Sequence, residues 1–130
     1  GAPDMRHAIG FALNHPGRAP LPVERLDLAK LAQLTFRPAC ETRWPALRLA
    51  REVMAAGGLA GAVFNAAKER ALDAFIARQI GFLQMAEVVE KVLDRATGEP
   101  GLLQAGITLD NVRQADHFAR RSADEIMTPT

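Results

Sequence analysis

Proline and glycine divide this chain into two regimes, and that division decides what it can fold into. Six of its eight prolines fall within the first 45 residues. Beyond Pro45, glycines stand where apolar runs at helical spacing stop. Proline fixes its own φ and lacks a backbone N–H, so clustered prolines favour extended chain. Glycine tolerates left-handed backbone and so serves as a helix stop. A proline-rich first third and a helical remainder follow.

Within the first third, residues 5–14 suit a short helix with Ile9, Phe11 and Leu13 as apolar positions, ended by Pro16 and Gly17. Pro16, Pro20 and Pro22 then make an extended linker. Leu26, Leu28, Leu31, Leu34 and Phe36 have mixed spacing. Leu28 and Leu31 suit a helical turn, whereas Leu34-Thr35-Phe36 suits a short strand.

The remainder predicts four helices. The first opens at Pro45, where a missing N–H costs nothing, and carries Leu47, Ala50 and Met54 as a stripe with Leu49 and Val53 alongside. Gly57-Gly58 ends it. The second runs from about Gly61 to Gln79, burying Val63, Ala67, Ala71, Ala74 and Phe75, until Gly81 stops it. Its many alanines imply close approach of a neighbour. The third covers about Leu83 to Ala96, with Met85, Val88, Val89, Val92 and Leu93 inward. A loop spans Gly98 to Gly106. The fourth helix begins at Thr108 or Asp110, either of which can cap it, and turns Val112, Ala115, Phe118, Ala119 and Ile126 to one face. The expected fold class is mainly α: a small four-helix bundle preceded by a short helix, a proline-rich linker and room for one short strand.

Composition narrows the function classes. With 130 residues and 48% hydrophobic content, the chain can bury one domain-sized core. Sixteen Lys and Arg against fifteen Asp and Glu give a net charge of +1, so there is no electrostatic case for nucleic acid or an anionic membrane surface. No apolar run approaches the ~18–20 residues that span a bilayer. Cys40 is the single cysteine, which cannot form an internal disulfide and points to a reducing cytoplasm.

Chemistry is sparse. The run Gly57-Gly58-Leu59-Ala60-Gly61 lacks both the P-loop ending and the dinucleotide spacing, and reads as a helix-to-helix turn. His7, His15 and His117 are scattered without metal-ligand spacing. Glu87, Glu90 and Asp94 share a helix face, with Lys91 and Arg95 as expected charge partners; Glu69 and Asp73 have Lys68 and Arg70 nearby. Ser122 has no Asp/Glu–His order around it. Trp44, before Pro45, suits an anchor at the base of the first long helix, or a residue facing a partner.

Six stretches in order carry a resemblance. The chain opens Gly1-Ala2-Pro3-Asp4-Met5-Arg6, without an initiator methionine, which suggests a piece of a larger protein. Leu26-Asp27-Leu28 with Leu31 and Leu34-Thr35-Phe36 follows, then Pro45-Ala46-Leu47-Arg48-Leu49-Ala50. Asn65-Ala66-Ala67 with Glu69 and Ala74-Phe75 come next, then Ile80-Gly81-Phe82, and finally Ala115-Asp116 with Ala119-Arg120. Together they resemble the C-terminal region of the 1-deoxy-D-xylulose 5-phosphate reductoisomerase family. The departures are His7-Ala8 where that family has Thr-Pro, His15 where it has Trp, and Lys68 where it has Asn.

The resemblance implies a parent oxidoreductase of isoprenoid biosynthesis. It would use NADPH and a divalent metal, Mg or Mn, to convert 1-deoxy-D-xylulose 5-phosphate to 2-C-methyl-D-erythritol 4-phosphate. It implies that residues 1–14 end the catalytic domain, 15–40 form a linker and 41–130 form a helical bundle supporting that domain in a cytoplasmic homodimer. Only Pro3 and Met5 match residues that line the family's substrate pocket; no catalytic, cofactor or metal residue carries over, so the 130 residues alone are expected to be inactive. The rival reading is a free-standing helical module that recognises a partner through an apolar groove.

Overall fold

The computed structural model describes residues 3–128; Gly1 and Ala2, which begin the opening motif and the segment 1–14, lie outside the described residues. Six helices follow in order: α1 Arg6–Asn14, α2 Leu28–Leu31, α3 Pro45–Ala56, α4 Ala60–Ile76, α5 Phe82–Gly98 and α6 Leu109–Met127. The chain forms two compact units, Gly1–Pro38 and Ala39–Thr130.

In the first unit, α1 starts where Asp4 accepts the Arg6 backbone N–H at 2.9 Å. It ends at Asn14 because His15 takes the extended conformation (φ −55°, ψ 137°) that a following proline favours. Gly10 is buried on this helix, and a β-carbon there would lie 2.4 Å from Leu21 Cδ2, so a larger residue would have to push the Leu21 side chain aside. Asp27 caps the single turn of α2, its Oδ1 accepting from Ala29 and Lys30 N–H groups. Ala32 then turns left-handed (φ 58°). The short strand allowed at Leu34–Phe36 does not form, and no strand occurs among the described residues. A strand needs a neighbour for its backbone N–H and C=O groups.

In the second unit α4 is the axis. It packs along both α5 and α6, α5 packs on α6, and α3 lies more lightly on α4 and α5. The core is made largely of small residues: Ala66, Ala67 and Ala71 of α4 with Ala115, Ala119 and Ala123 of α6, all but inaccessible. Leu49, Leu59, Val63 and Val92 are the largest side chains fully inside it. The alanine-rich seam is the close helix approach expected from the sequence.

Three local expectations need correction. The stripe of α3 is displaced: Leu49 is buried, while Leu47 and Met54 are exposed, because α3 meets the bundle along one narrow edge. Phe75 is not buried; it is 36% exposed and packs edge-on to Phe82 at 5.9 Å. Nor does Gly81 stop α4. That helix ends at Ile76, Arg78 takes a positive φ of 60°, and Gly81 instead begins α5, its N–H donated to Gln84 Oε1 at 2.6 Å. The Gly57-Gly58 stop and the Thr108 cap are as expected: both glycines are left-handed, and Thr108 Oγ1 accepts the Asn111 N–H at 3.2 Å.

Candidate functional site

The turn before α1 holds both sequence-predicted site residues. Asp4 is clasped by the Arg6 side chain, with Nε 3.0 Å from each carboxylate oxygen and Nη2 2.5 Å from Oδ2. Arg6 Nη1 also donates to the Pro22 carbonyl at 2.7 Å, tying the turn to the proline-rich segment. Backbone bonds from His7 to Asp4 and from Ile9 to Met5 complete the turn. Pro3 and Met5 consequently point outward, Met5 being 71% exposed. They offer an apolar edge on a braced turn, a surface that can pack against a carbon chain but cannot move a proton.

The Arg6 hydrogen bonds hold the Asp4 carboxyl at about 2, below the ordinary 3.8. A depressed carboxylate contributes stability that is present above pH ~4 and lost as pH falls through the folded value near 2. An NMR titration of the Asp4 carboxyl is expected to show this depression in the native chain and its disappearance in Arg6→Ala. Equal midpoints in both would contradict the clasp.

Elsewhere, distant stretches of sequence meet as ion pairs across helices. Glu69 of α4 accepts from Asn65 at 3.1 Å and from Arg120 of α6 at 2.7 Å; Arg120 also holds Asp116 at 2.8 Å. Arg70 pairs with Asp124 of α6 and, more loosely, with Asp73. Arg95 of α5 reaches Glu125 of α6 at 2.9 Å, and Arg48 of α3 reaches Glu90 of α5 at 2.5 Å. Of the partners expected along single helices, Arg70 does meet Asp73, whereas Glu69, Glu90 and Arg95 pair with residues of neighbouring helices instead. Hydrogen bonds from Arg120 hold Glu69 and Asp116 below the usual carboxylate range. Carboxylates so occupied brace the bundle and are poor proton acceptors.

Sequence reasoning invoked an apolar groove in its rival reading without placing it; the structure has a groove of about 590 Å³ between the start of α3, the middle of α4 and the start of α5. Trp44, Leu49, Phe64, Leu72, Phe82 and Leu83 line it. The Arg43 guanidinium lies over the Trp44 ring at 5.3 Å. Its one sequence signal was a lone tryptophan beside a helix-opening proline.

Fit to the implied cofactors is poor within this chain. Among the described residues no group of three or more His, Cys, Asp or Glu is placed to hold a metal ion. The glycine run 57–61 joins helix to helix, so it lacks the strand-to-helix setting that presents N–H groups to a pyrophosphate. These residues do not form a site for either group. No described helix is long and apolar enough to cross a membrane. Ser122 is buried on α6, and Cys40 is an exposed free thiol.

The second unit is thus a small helical bundle braced by inter-helix ion pairs and bearing an apolar groove, and the first unit displays an outward-facing proline–methionine turn. The family model described as the DXP reductoisomerase C-terminal domain matches residues 1–122, and the chain belongs to that family. A 1-deoxy-D-xylulose 5-phosphate reductoisomerase of Ruegeria pomeroyi is 66% identical over 127 residues, which are 98% of this chain and 32% of the relative. One of Paracoccus denitrificans is 61% identical over 95% of this chain and 32% of its own length. Among solved structures, the Zymomonas mobilis reductoisomerase in complex with NADPH superposes with a TM-score of 0.78 at 42% identity, covering all of this chain and 33% of that one. A DOX-P reductoisomerase with fosmidomycin and magnesium gives 0.75 at 30% identity over 98% of this chain and 33% of its own. The chain thus spans about a third of the length of these relatives.

Proposed function

We propose that this chain is the bundle-bearing third of a 1-deoxy-D-xylulose 5-phosphate reductoisomerase. The whole enzyme rearranges and reduces its substrate to 2-C-methyl-D-erythritol 4-phosphate with NADPH and a divalent metal, as a cytoplasmic homodimer. The observation that carries the reading is a match over 98% of the chain to a relative three times as long, at 66% identity. In this reading residues 1–14 close the catalytic domain, 15–40 link and 41–130 brace it. The residues that hold NADPH and the metal belong to the other two thirds.

Pro3 and Met5 are this chain's contribution to the substrate pocket. Their outward presentation on a turn fixed by Asp4 and Arg6 supports that role. Positioning of this kind matters because small displacements of a bound substrate are costly to rate. The alternative of a free-standing interaction module has the groove in its favour but does not account for the full-length match.

A swap of this chain for the matching third of the Ruegeria pomeroyi relative provides a full-length protein for assay. In that protein Met5→Ala is expected to raise KM for 1-deoxy-D-xylulose 5-phosphate about tenfold, the scale of losing one apolar contact, with kcat little changed. An unchanged KM would remove Met5 from the pocket.

A further inference from the structure

The geometry points to Arg6 as a positioning residue for 1-deoxy-D-xylulose 5-phosphate: its guanidinium fixes the Met5 edge by tying the turn to the Pro22 carbonyl. The inference rests on the reading of Pro3 and Met5 as this chain's contribution to the substrate pocket, and it names what holds that edge in place.

Met5 does not fix itself. It precedes α1 in helical backbone (φ −62°, ψ −21°), and its side chain makes no capping hydrogen bond. With 71% of the residue exposed, little packing is left to select one rotamer of a flexible thioether chain. Its direction therefore follows the backbone of residues 4–6. The Asp4–Arg6 pair shapes that backbone, but its partners stand only two residues apart and move together. The bond that reaches out is Arg6 Nη1 to the Pro22 carbonyl, at 2.7 Å and sixteen residues along the chain.

The acceptor stands on a constrained stretch. The Pro22 ring fixes its own φ. The Val23 N–H donates to the Leu21 carbonyl at 2.8 Å, and Leu21 lies against α1 at Gly10. Arg6 directs Nε and Nη2 at Asp4 and Nη1 at Pro22, so all three guanidinium nitrogens have an acceptor. A planar fork serves both acceptors at once, whereas a lysine ammonium is a single point charge that cannot reproduce that geometry. The Arg6 side chain is 58% exposed, and ion pairs this open to water add little to stability. Loss of Arg6 is thus expected to show at the substrate edge and not in the unfolding transition.

The test is a double-mutant cycle in the full-length swap protein. Arg6→Ala is expected to raise KM for 1-deoxy-D-xylulose 5-phosphate about fivefold or more, with kcat within about twofold. In a Met5→Ala background the same change should move KM by less than about twofold, because the residue it positions is gone. Arg6→Lys keeps a charge beside Asp4 and is expected to behave as Arg6→Ala. An equal rise in both backgrounds, or an unchanged KM in Arg6→Ala, would overturn the inference. Arg6→Lys at the parental KM would overturn the tie to Pro22, leaving the charge beside Asp4 as sufficient. Hydrogen exchange at the Val23 amide of the 130-residue chain reads the tie without turnover: it is expected to quicken about threefold or more in both Arg6 variants, with the Val63 amide of α4 unchanged. An unaltered Val23 rate would likewise overturn it. The two readings fail separately. An unchanged KM in Met5→Ala sinks the pocket reading, whereas a raised KM there beside an unchanged KM in Arg6→Ala sinks this inference alone.

Discussion

Truncating Leu59 to alanine is expected to destabilise the bundle by about 2–5 kcal/mol, read as a lower urea midpoint with an unchanged slope. Leu59 is 1% exposed and follows the two left-handed glycines that turn α3 into α4. Its carbonyl accepts from both Ala62 and Val63, so the backbone beneath the side chain is held at the start of α4. The fully buried core around it is mainly alanine, and alanine has no side-chain freedom with which to fill a cavity. Met54→Ala, at a position 79% exposed on α3, is the matched control and should change stability by less than about 0.5 kcal/mol. Equal effects of the two would mean that α3 and the following turn are seated differently.

The reverse change is expected at Ala119, where leucine should cost about 1–3 kcal/mol or more through overpacking. Leucine is nearly as good a helix former as alanine, so propensity alone would cost only a few tenths of a kcal/mol. Any larger loss reports the close approach of α4 and α6, where Ala119 and its neighbours Ala115 and Ala123 face the alanines of α4 without solvent access. A stable Ala119→Leu protein with an unchanged urea midpoint would contradict the seam. Both experiments read the second unit, the one to which supporting activity is assigned.

Much of this architecture was legible before any coordinates. Pro45, Gly57-Gly58 and Thr108 each act through local backbone chemistry, so their effects on helix ends could be read from sequence. The face of α3 could not. Leu47, Leu49, Val53 and Met54 fit either of two helical stripes, and only the light contact of α3 with α4 and α5 selects Leu49. The end of α4 was misplaced for a similar reason. Arg78 adopts a left-handed backbone that glycine usually provides, leaving Gly81 free to begin α5.

The charges show the same limit. Helical spacing correctly set Arg70 beside Asp73, but the structure also joins Arg70 to Asp124, and it joins Glu69 and Glu90 to Arg120 and Arg48, all on other helices. Pairings of that kind depend on helix rotation, which sequence spacing within one helix does not encode. Pro3 and Met5 were singled out by resemblance to a family motif, and the Asp4–Arg6 clasp supplies a physical reason for the motif's two charged members. Pro3 and Met5 are displayed by that clasp; Asp4 and Arg6 form it.

The central claim is that this chain completes a reductoisomerase without containing its reaction centre. The direct measurement is NADPH oxidation with 1-deoxy-D-xylulose 5-phosphate and magnesium, compared between the purified 130 residues and the swap protein. The account expects no turnover and no NADPH binding by the chain alone, and turnover by the swap protein within about tenfold of the Ruegeria pomeroyi relative, a difference of about 1.4 kcal/mol in barrier. Turnover by the isolated chain, or a cooperatively folded swap protein without turnover, would contradict it.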